Sequence, residues 1–401
     1  MPTYKYKAIS VNGQSLQGTF VANSRNDVIQ MLRGNNSYPV MIQEDVDSQM
    51  REVNLFGGVR TKDLAVFCRQ SYSMLNAGVP IINCLDILRM QTEHKKLKNT
   101  IGEVYENVQK GLTFSESLKK HLDVFPELLI YMIEAGEASG SLDTILERMA
   151  VHYEKETKIN SKIKGAMVYP IILSIVSVTV VIFLLTFVMP TFIGMFQGSG
   201  VPLPLPTRIL MKFSELLKNY WYLFLSGTIA LIYGTKRYIL TSAGRLQFDR
   251  LKLRLPVIGS LNQKIITARF ARTLSTLMAS GIPLLQAMEN VANVVGNKVA
   301  ADGIMKVREE VRRGAPLAPP VKRLGIFPPM VDNMIHIGEE SGTLDDILEK
   351  TANFYDEEVE ASLQKMITLF EPVMILVMGL VIGFIVIAMV LPMFDMLKTV
   401  Q

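Results

Sequence analysis

The 401-residue chain is poor in the side chains that usually carry catalysis, redox chemistry or metal binding. It contains two cysteines, four histidines and one tryptophan. Cys68 and Cys84 lack CxxC spacing and fall in predicted helices, which favours packing in a reduced compartment over a disulfide or a metal site. The histidines are scattered without HExxH spacing, and no Walker A, GxGxxG or GxSxG pattern occurs. These absences predict a protein that is not an enzyme and that holds no cofactor.

Charged residues are also scarce, at 20% of the chain, whereas apolar residues reach 49%. Residues 165–207 and 372–394 carry no charge at all. Because about 20 apolar residues cross a bilayer core of roughly 30 Å, we predict transmembrane helices over 166–190 and 370–394. A third candidate, 219–240, is less apolar but has aromatic residues at both ends. The first residues lack an apolar signal core, so we expect membrane entry from these internal segments.

The net charge of +5 and the pI of about 9.0 come from cations that are spread along the chain. Segment 236–264 holds seven lysines and arginines, whereas segment 191–218 holds three. Since positive loops stay on the cytoplasmic side of a membrane, we predict a multi-pass protein with a cytoplasmic N-terminus. Loop 191–218 and tail 395–401 are then external. We expect no contact with nucleic acid.

The strongest pattern is a sequence that occurs twice. Residues 132–149 and 334–351 are identical at 11 of 18 positions, at an offset of 202. The repeat unit is a helical bundle followed by one membrane helix. Two direct copies would place the bundles on opposite sides of the membrane, so an extra span is needed between them, which favours 219–240. Other matched positions are Phe67 with Phe270, Arg69 with Arg272, Gly78 with Gly281, Pro80 with Pro283, Tyr153 with Tyr355, Pro170 with Pro372, and Pro190 with Pro392.

The doubled motif, Gly-Glu-x-Ser-Gly-x-Leu-Asp, stands between amphipathic stretches. Gly136 or Gly140 can end a helix in the left-handed conformation, and Ser141 and Thr343 can cap the next helix, whose positive end suits an aspartate. The motif is a candidate turn, and its glutamates are candidates to face a partner or an ion. We expect bulky replacements of the first glycine to unfold the bundle, and alanine replacements of the glutamates to leave folding intact. The candidate residues are Gly136, Glu137, Ser139, Gly140, Leu142, Asp143, Gly338, Glu339, Ser341, Gly342, Leu344 and Asp345.

The predicted fold class is an all-α polytopic membrane protein with two homologous cytoplasmic bundles, three transmembrane helices and a small N-terminal α+β module. In the module, polarity alternates around Asn12-Gly13, which signals a β-hairpin. From Thr61 onward, apolar residues recur at helical spacing and predict about six helices in each bundle. The predicted segments are the module and linker (1–58), first bundle (59–165), first span (166–190), external loop (191–218), second span (219–240), second bundle (241–369), third span (370–394) and external tail (395–401).

Small residues recur in the membrane helices, at Ser226, Ala230 and Gly234 and in the GxxxG of Gly379 and Gly383. Such residues let helices approach closely, either within the chain or in contact with another copy or another protein. A second set of candidate residues lies at the membrane edges. These are Pro170, Pro190, Glu371, Pro372 and Pro392.

Together these features resemble the platform proteins of type IV pilus and type II secretion machines, the PilC/GspF family. The resemblance covers nearly the whole chain. It implies two similar helical domains in the bacterial cytoplasm, three spans of the inner membrane, and no catalysis. The residues that carry it are the matched Phe-Gly-Pro blocks, the doubled motif, Tyr169-Pro170 with Glu371-Pro372, Val188-Met189-Pro190 with Val390-Leu391-Pro392, and the stretch from Pro204 to Thr207.

The resemblance also implies partners. They are a hexameric assembly ATPase, pilin or pseudopilin subunits and other membrane assembly components, and a homo-oligomer is expected as well. The chain would then be a platform that couples the ATPase to insertion of pilins into a filament. A two-repeat membrane transporter is the alternative. A transporter usually needs an ionisable residue at depth, and none of the three apolar cores contains one.

Overall fold

The structure, a computed structural model, describes residues 3–10, 15–21, 25–34, 37–44, 58–196 and 204–399. It divides into two compact units, Met1–Gly58 and Val59–Gln401. Three features of the sequence lie outside the described residues. They are the Asn12-Gly13 turn, most of the predicted linker before Gly58, and residues 197–203 of the predicted external loop.

The first unit contains a three-stranded antiparallel sheet and one helix. Its elements are β1 (Thr3–Ser10), β2 (Ser15–Val21), α1 (Arg25–Gly34) and β3 (Ser37–Glu44). Strand β1 lies in the middle of the sheet, between β2 and β3. Ala8 of β1 packs with Val28 and Leu32 of α1, and all three are buried. These contacts remove apolar surface from water and hold the helix against the sheet.

The second unit repeats one helical pattern twice, and the six helices predicted for the first bundle are present. The first copy comprises α2 (Thr61–Asn76), α3 (Ile81–Gln91), α4 (Lys95–Gln109), α5 (Phe114–Lys119), α6 (Glu127–Ser139) and α7 (Leu142–Phe183), which continues through a π-helical stretch (Leu184–Val188) into α8 (Met189–Phe196). The connecting helices are α9 (Leu205–Ile239) and α10 (Ser242–Arg254). The second copy comprises α11 (Ile258–Ala279), α12 (Leu284–Val294), α13 (Lys298–Arg312), α14 (Ala318–Arg323), α15 (Pro329–Ser341) and α16 (Leu344–Thr399).

One apolar core runs through both bundles. In the first, the rings of Phe67 and Phe125 lie 5.5 Å apart, and the equivalent Phe270 and Phe327 lie 4.7 Å apart in the second. Burying one such ring stabilises the fold by roughly 1.5–3 kcal/mol. Both cysteines are buried and free, and burial raises the pKa of the Cys68 thiol far above its ordinary value. The packing role predicted for the cysteines is confirmed.

Helices α7 and α16 run side by side in the same direction. Their first turns both contribute to the bundle core, whereas Leu185, just beyond α7, and Ile385 of α16 meet in a second apolar cluster. The helical stretches Leu142–Phe192 and Leu344–Pro392, of 51 and 49 residues, are long and apolar enough to cross a membrane. Most of the side chains in their apolar windows are exposed on the protein surface.

Helix α9 includes the segment predicted as the middle span. It is not among the helices that length and hydropathy select as spans. It bends at Tyr220, where φ is −124° and ψ is 24°, so its two halves differ in direction at the predicted start of that span. Parts of the predicted external loop and tail are helical, because α8 reaches Phe196, α9 begins at Leu205 and α16 continues to Thr399.

Pro190, in the first turn of α8, has no backbone N–H to donate. In the π-helical stretch, the Met189 N–H donates to the Leu184 carbonyl. The next bond of this pattern would run from Pro190 to the Leu185 carbonyl, and it cannot form. The hydroxyl of Ser214 in α9 donates to that carbonyl instead, at 2.5 Å.

A second proline, near the end of α16, also leaves a backbone carbonyl without its helical donor. A regular helix would pair residue 392 with the carbonyl of Ala388, but Pro392 cannot donate. The hydroxyl of Thr207 in α9 donates to this carbonyl. Thr207 and Ser214 are both buried. The first half of α9 is therefore held against both long helices by hydrogen bonds to carbonyls that the prolines leave free, which an apolar environment makes important.

We expect Thr207→Val and Ser214→Ala each to lower the stability of the full-length protein by about 1 kcal/mol, since a buried carbonyl loses its donor. The measurement is the unfolding midpoint in detergent. Thr228→Val is the matched control, because the Thr228 hydroxyl bonds to Phe224 within its own exposed helix. Equal midpoints for all three variants would contradict a role for the two hydroxyls.

Candidate functional site: the doubled turn and the bundle interface

The doubled motif forms the same turn in both bundles. Helix α6 ends at Gly140, whose φ is 71°, and the Ser141 N–H donates to the Gly136 carbonyl at 3.0 Å. Helix α15 ends in the same way at Gly342, whose φ is 70°. A positive φ is strained for residues with a side chain, so glycine suits this position. The turn interpretation is confirmed, and the left-handed residue is Gly140 rather than Gly136.

The other glycine of each motif is required by close packing. A Cβ atom on Gly136 would lie 2.9 Å from the Cγ1 atom of Ile145, in the next helix. A Cβ atom on Gly338 would lie 2.9 Å from the Cα atom of Leu344. These distances are shorter than real Cβ contacts, so a bulky residue would push the two helices apart.

Ser141 does not cap the following helix, which corrects the expectation from the sequence for this residue. The Ser141 side chain makes no capping hydrogen bond. Its hydroxyl lies 2.7 Å from the hydroxyl of Ser139, and Thr343 makes the equivalent 2.7 Å contact with Ser341. The two hydroxyls of each motif pair with one another across the turn. Asp143 lies in the first turn of α7 and Asp345 in that of α16, as expected from the helix dipole.

Glu137 caps another helix of its own bundle. Its carboxylate accepts hydrogen bonds from the backbone N–H groups of Phe114 and Ser115, at 2.6 and 3.0 Å. These residues are the first two of α5. The N–H groups at the start of a helix have no partner within the helix, and the helix dipole favours a negative charge there. Glu137 therefore ties the turn after α6 to the start of α5.

Glu339 repeats this contact in the second bundle. Its carboxylate accepts from the N–H groups of Leu317 and Ala318, at the start of α14; the Ala318 bond measures 3.0 Å. The hypothesis that the two glutamates are free to face a partner or an ion is thereby corrected, because both carboxylates are already occupied within the chain. These contacts lead us to expect that alanine at either position destabilises the fold, which differs from the expectation drawn from the sequence.

We expect Glu137→Ala and Glu339→Ala each to lower the free energy of unfolding by about 1–3 kcal/mol, because two helix N–H groups lose their acceptor. Unfolding of the full-length protein in detergent measures this loss. Glu134→Ala is the control on the same helix. Glu134 is 48% exposed and pairs with Lys119 at the surface, so its loss should cost less than about 1 kcal/mol. Similar losses in all three variants would show that the caps contribute little.

A second duplicated contact joins the first and last helices of each bundle. Arg69 of α2 donates to both carboxylate oxygens of Glu154 in α7, at 2.8 Å each, and these bonds lower the pKa of Glu154. The equivalent pair is Arg272 of α11 with Asp356 of α16. The environments differ, because the Arg69 side chain is 37% exposed whereas the Arg272 side chain is 9% exposed.

Arg272 is buried because α7 of the first bundle crosses this part of the second. The contact surface contains a cleft of about 310 Å³ whose walls come from α7, α11 and α16. Polar side chains also connect the bundles. The pairs are Arg148 with Ser280 at 3.3 Å, Arg269 with Glu156 at 3.6 Å, Lys155 with Asn353, and Lys162 with Glu360.

His152 lies in the wall of this cleft. The residue is 4% exposed, and its Nδ1 atom has no hydrogen-bond partner among the described residues. Burial, together with the positive charges of Arg272 and Arg269, lowers the pKa of His152 to about 3. The imidazole is therefore neutral at physiological pH. The equivalent residue of the second repeat, Phe354, is 40% exposed, so the two repeats use this position differently.

The pKa of His152 predicts a pH-dependent stability. Between pH 6.5 and 3 the unfolded chain binds a proton at this residue and the folded chain does not. The free energy of unfolding should therefore fall as the pH is lowered through this range, by up to about 1.4 kcal/mol per unit.

His152→Leu should flatten the pH dependence of the unfolding midpoint between pH 7 and 4.5, because leucine cannot bind the proton. The same replacement at His336, whose side chain is 61% exposed, is the control and should leave the slope as it is. An unchanged slope in His152→Leu would contradict the assignment of this pH dependence to His152.

The small residues of the membrane helices do not pack within the described chain, which corrects one of the two interpretations. Ser226, Ala230 and Gly234 are exposed. No atom would lie within 4 Å of a Cβ atom on Gly379 or Gly383. Contact of these residues with another copy or another protein stays a prediction.

The membrane-edge residues fall in several environments. Pro190 and Pro392 free the carbonyls that α9 binds. Pro170 is buried inside α7, whereas Glu371 and Pro372 are exposed on α16. Among the described residues, no group of three or more histidine, cysteine, aspartate or glutamate side chains is arranged to hold a metal ion.

Comparisons with known proteins give matches over nearly the whole chain. The family model for type II secretion system (T2SS) protein F matches residues 67–190 and 270–392, and that for its N-terminal domain matches residues 1–43. The type IV pilus assembly protein PilC of Thermus thermophilus is 38% identical over 405 residues, covering 100% of both chains. PilC of Myxococcus xanthus is 36% identical, covering 99% of this chain and 96% of its own. Type II secretion system protein F of Vibrio cholerae is 34% identical, covering 99% and 98%. The chain therefore belongs to the type II secretion system protein F family, which includes the PilC proteins of type IV pilus assembly.

Proposed function

We propose that this protein is the inner-membrane platform of a type IV pilus or type II secretion machine. Its bundles lie in the cytoplasm and receive motion from a hexameric assembly ATPase. Its membrane helices pass pilin or pseudopilin subunits from the bilayer into the growing filament. The observation that carries this proposal is the joining of both bundles, through one continuous core, to two long apolar helices that run in the same direction.

The continuous core gives the platform a mechanical property. A force applied to either bundle acts on a single packed unit, because interiors at protein density transmit strain rather than absorb it. Helices α7 and α16 each extend without a break in chain from the doubled turn to the far apolar cluster. A displacement at the turns therefore reaches the membrane along two adjacent helices. The capped turns, which fix the start of each long helix, are the elements that we propose to be involved in this coupling.

The proposal includes a third span in the second half of α9. The first half packs in the far apolar cluster through Leu210, while α10, which follows α9, is joined to the second bundle through Asp249 and Lys298. The chain must therefore return from the far end to the bundles between these points. Residues 220–239 can cover about 30 Å as a helix. Their side chains are exposed or nearly so and are mostly apolar, as lipid contact requires.

The exposed apolar surfaces of α16 provide a place for pilin helices. Ile375 and Leu380 are 66% and 68% exposed and lie in the apolar span. A helix embedded in the bilayer can associate with such a surface by close packing, because lipid and apolar side chains are of similar polarity.

Deletion of the gene should abolish surface filaments or the export of proteins by the secretion machine. The unchanged gene, supplied again, should restore them. In the complemented strain, a photo-crosslinking residue at Ile375 or Leu380 should crosslink to the major pilin or pseudopilin. The same residue at Leu122, which is 59% exposed on the first bundle, is the matched control and should not.

The full-length protein in lipid nanodiscs should also bind the assembly ATPase of its host and raise its rate of ATP hydrolysis. Normal filaments and secretion in the deletion strain would contradict the platform role as a whole. Filament loss without ATPase binding would contradict the coupling to the motor and leave the membrane role standing.

A further inference from the structure

Helix α10 follows directly on the second half of α9. Helix α9 ends at Ile239, and the chain is extended at Thr241, where φ is −78° and ψ is 147°. Three residues span at most about 10 Å, so the start of α10 lies close to the end of α9. Lys236 and Arg237 mark that end. If the second half of α9 is a span, α10 begins at the membrane surface.

One side of α10 is fixed to the second bundle. Asp249 is 4% exposed, and its carboxylate accepts from the Lys298 N–H, the first of α13, at 2.9 Å. Leu253 packs against the bundle core. A Cβ atom on Gly244 would lie 2.1 Å from the Tyr238 carbonyl oxygen, so glycine is required where α10 meets the end of α9. The orientation of α10 relative to the bundle is therefore set by the fold.

The opposite side of α10, with the residue that follows the helix, carries exposed apolar side chains, and the Lys252 ammonium lies 4.6 Å from the centre of the Phe248 ring. Phe248, Leu251 and Leu255 are 38%, 53% and 39% exposed. Their spacing of three and four residues places them in one stripe. Leu240, in the connection to α9, is 81% exposed and links this stripe with the apolar surface of α9. Leucine and phenylalanine on a surface that faced only water would be costly.

Arginines flank the stripe on both sides. At 100° per residue, Arg245 lies on one side of Phe248, and Arg250 and Arg254 lie beyond Leu251 on the other. All three are exposed, and none forms an ion pair with an acidic side chain in the described part of the chain. Three cations beside an apolar stripe match a lipid surface, in which apolar acyl chains lie beneath negatively charged headgroups.

We propose that α10 binds the cytoplasmic surface of the membrane, with Phe248, Leu251 and Leu255 in the acyl-chain boundary and the three arginines on anionic phospholipid headgroups. A helix of this pattern lies in the interface rather than across it. The continuity of the stripe with α9 and the complementary charge select the lipid surface over a protein partner. The inference rests on the third span of the proposed function.

This contact would hold the second bundle at a fixed height above the bilayer. Asp249 joins α10 to the start of α13, so the lipid surface would position α13 through one helix and one capping contact. The platform would then have an anchor in the headgroup layer in addition to its spans.

The test uses the full-length protein in nanodiscs with single cysteines that carry an environment-sensitive fluorophore. The native cysteines are buried, so the introduced one is labelled selectively. The probe sites are Leu251→Cys on α10, Leu231→Cys in the proposed span, and Leu122→Cys on the first bundle. Lipids brominated on the acyl chains quench a fluorophore that reaches them. We expect quenching at Leu251→Cys and Leu231→Cys and none at Leu122→Cys.

Headgroup charge is tested at the Leu251→Cys site. Adding phosphatidylglycerol to phosphatidylcholine nanodiscs should increase quenching about twofold or more, and combining Arg245→Gln, Arg250→Gln and Arg254→Gln should remove that increase. Replacing Arg312, Arg313 and Lys322 by glutamine instead is the control of equal charge, and it should leave the increase in place.

The outcomes separate the inference from the proposed function. Quenching at Leu231→Cys but not at Leu251→Cys would overturn the lipid contact of α10 and leave the third span in place. No quenching at either site would overturn both. Equal quenching with and without phosphatidylglycerol would overturn the role of the arginines. None of these results depends on pilin insertion or on the ATPase.

Discussion

The structure depends on backbone groups that its helices cannot pair internally. The turns of the doubled motif are stabilised because Glu137 and Glu339 supply acceptors for the free N–H groups of two short helices. The far ends of the long helices are stabilised because Ser214 and Thr207 supply donors for two carbonyls that prolines leave free. An unpaired backbone group that is buried or surrounded by lipid costs several kcal/mol. Near each end of a long helix, a side-chain hydrogen bond thus pairs a backbone group that would otherwise be free.

The two copies of the repeat share a fold but not an environment. Arg69 and Arg272 make equivalent ion pairs, yet only Arg272 is covered by the other bundle. His152 is buried at this contact, whereas Phe354, at the equivalent place, is exposed. The bundles therefore do not pack as identical halves about a two-fold axis. One face of the first copy is used to contact the second, which leaves the equivalent face of the second copy open.

Local patterns predicted local structure well and distant contacts poorly. The helices of the first bundle could be predicted from the spacing of apolar residues, and the left-handed conformation of Gly140 from its place at the end of a helix. The acceptor role of Glu137 could not be predicted, because its donors lie 22 and 23 residues away along the chain. The matched glutamates were a usable signal all the same. A charged residue repeated beside a helix end is as consistent with a cap as with a partner. The burial of His152 depends on the packing of one repeat on the other, which the sequence of a single repeat does not contain.

The proposed middle span shows how topology can add to hydropathy. The apolar run of α9 is short and is interrupted by tyrosine, serine, glycine and threonine, and α9 is not among the helices that length and hydropathy select as spans. The positions of its neighbours make the stronger argument. Ser214, in the first half of α9, is bonded to the far end of α7, and Asp249, after α9, is bonded to the second bundle. A chain fixed at both levels has to cross the distance between them. The only described helix that connects them is the second half of α9, and its exposed side chains are those that a lipid environment favours.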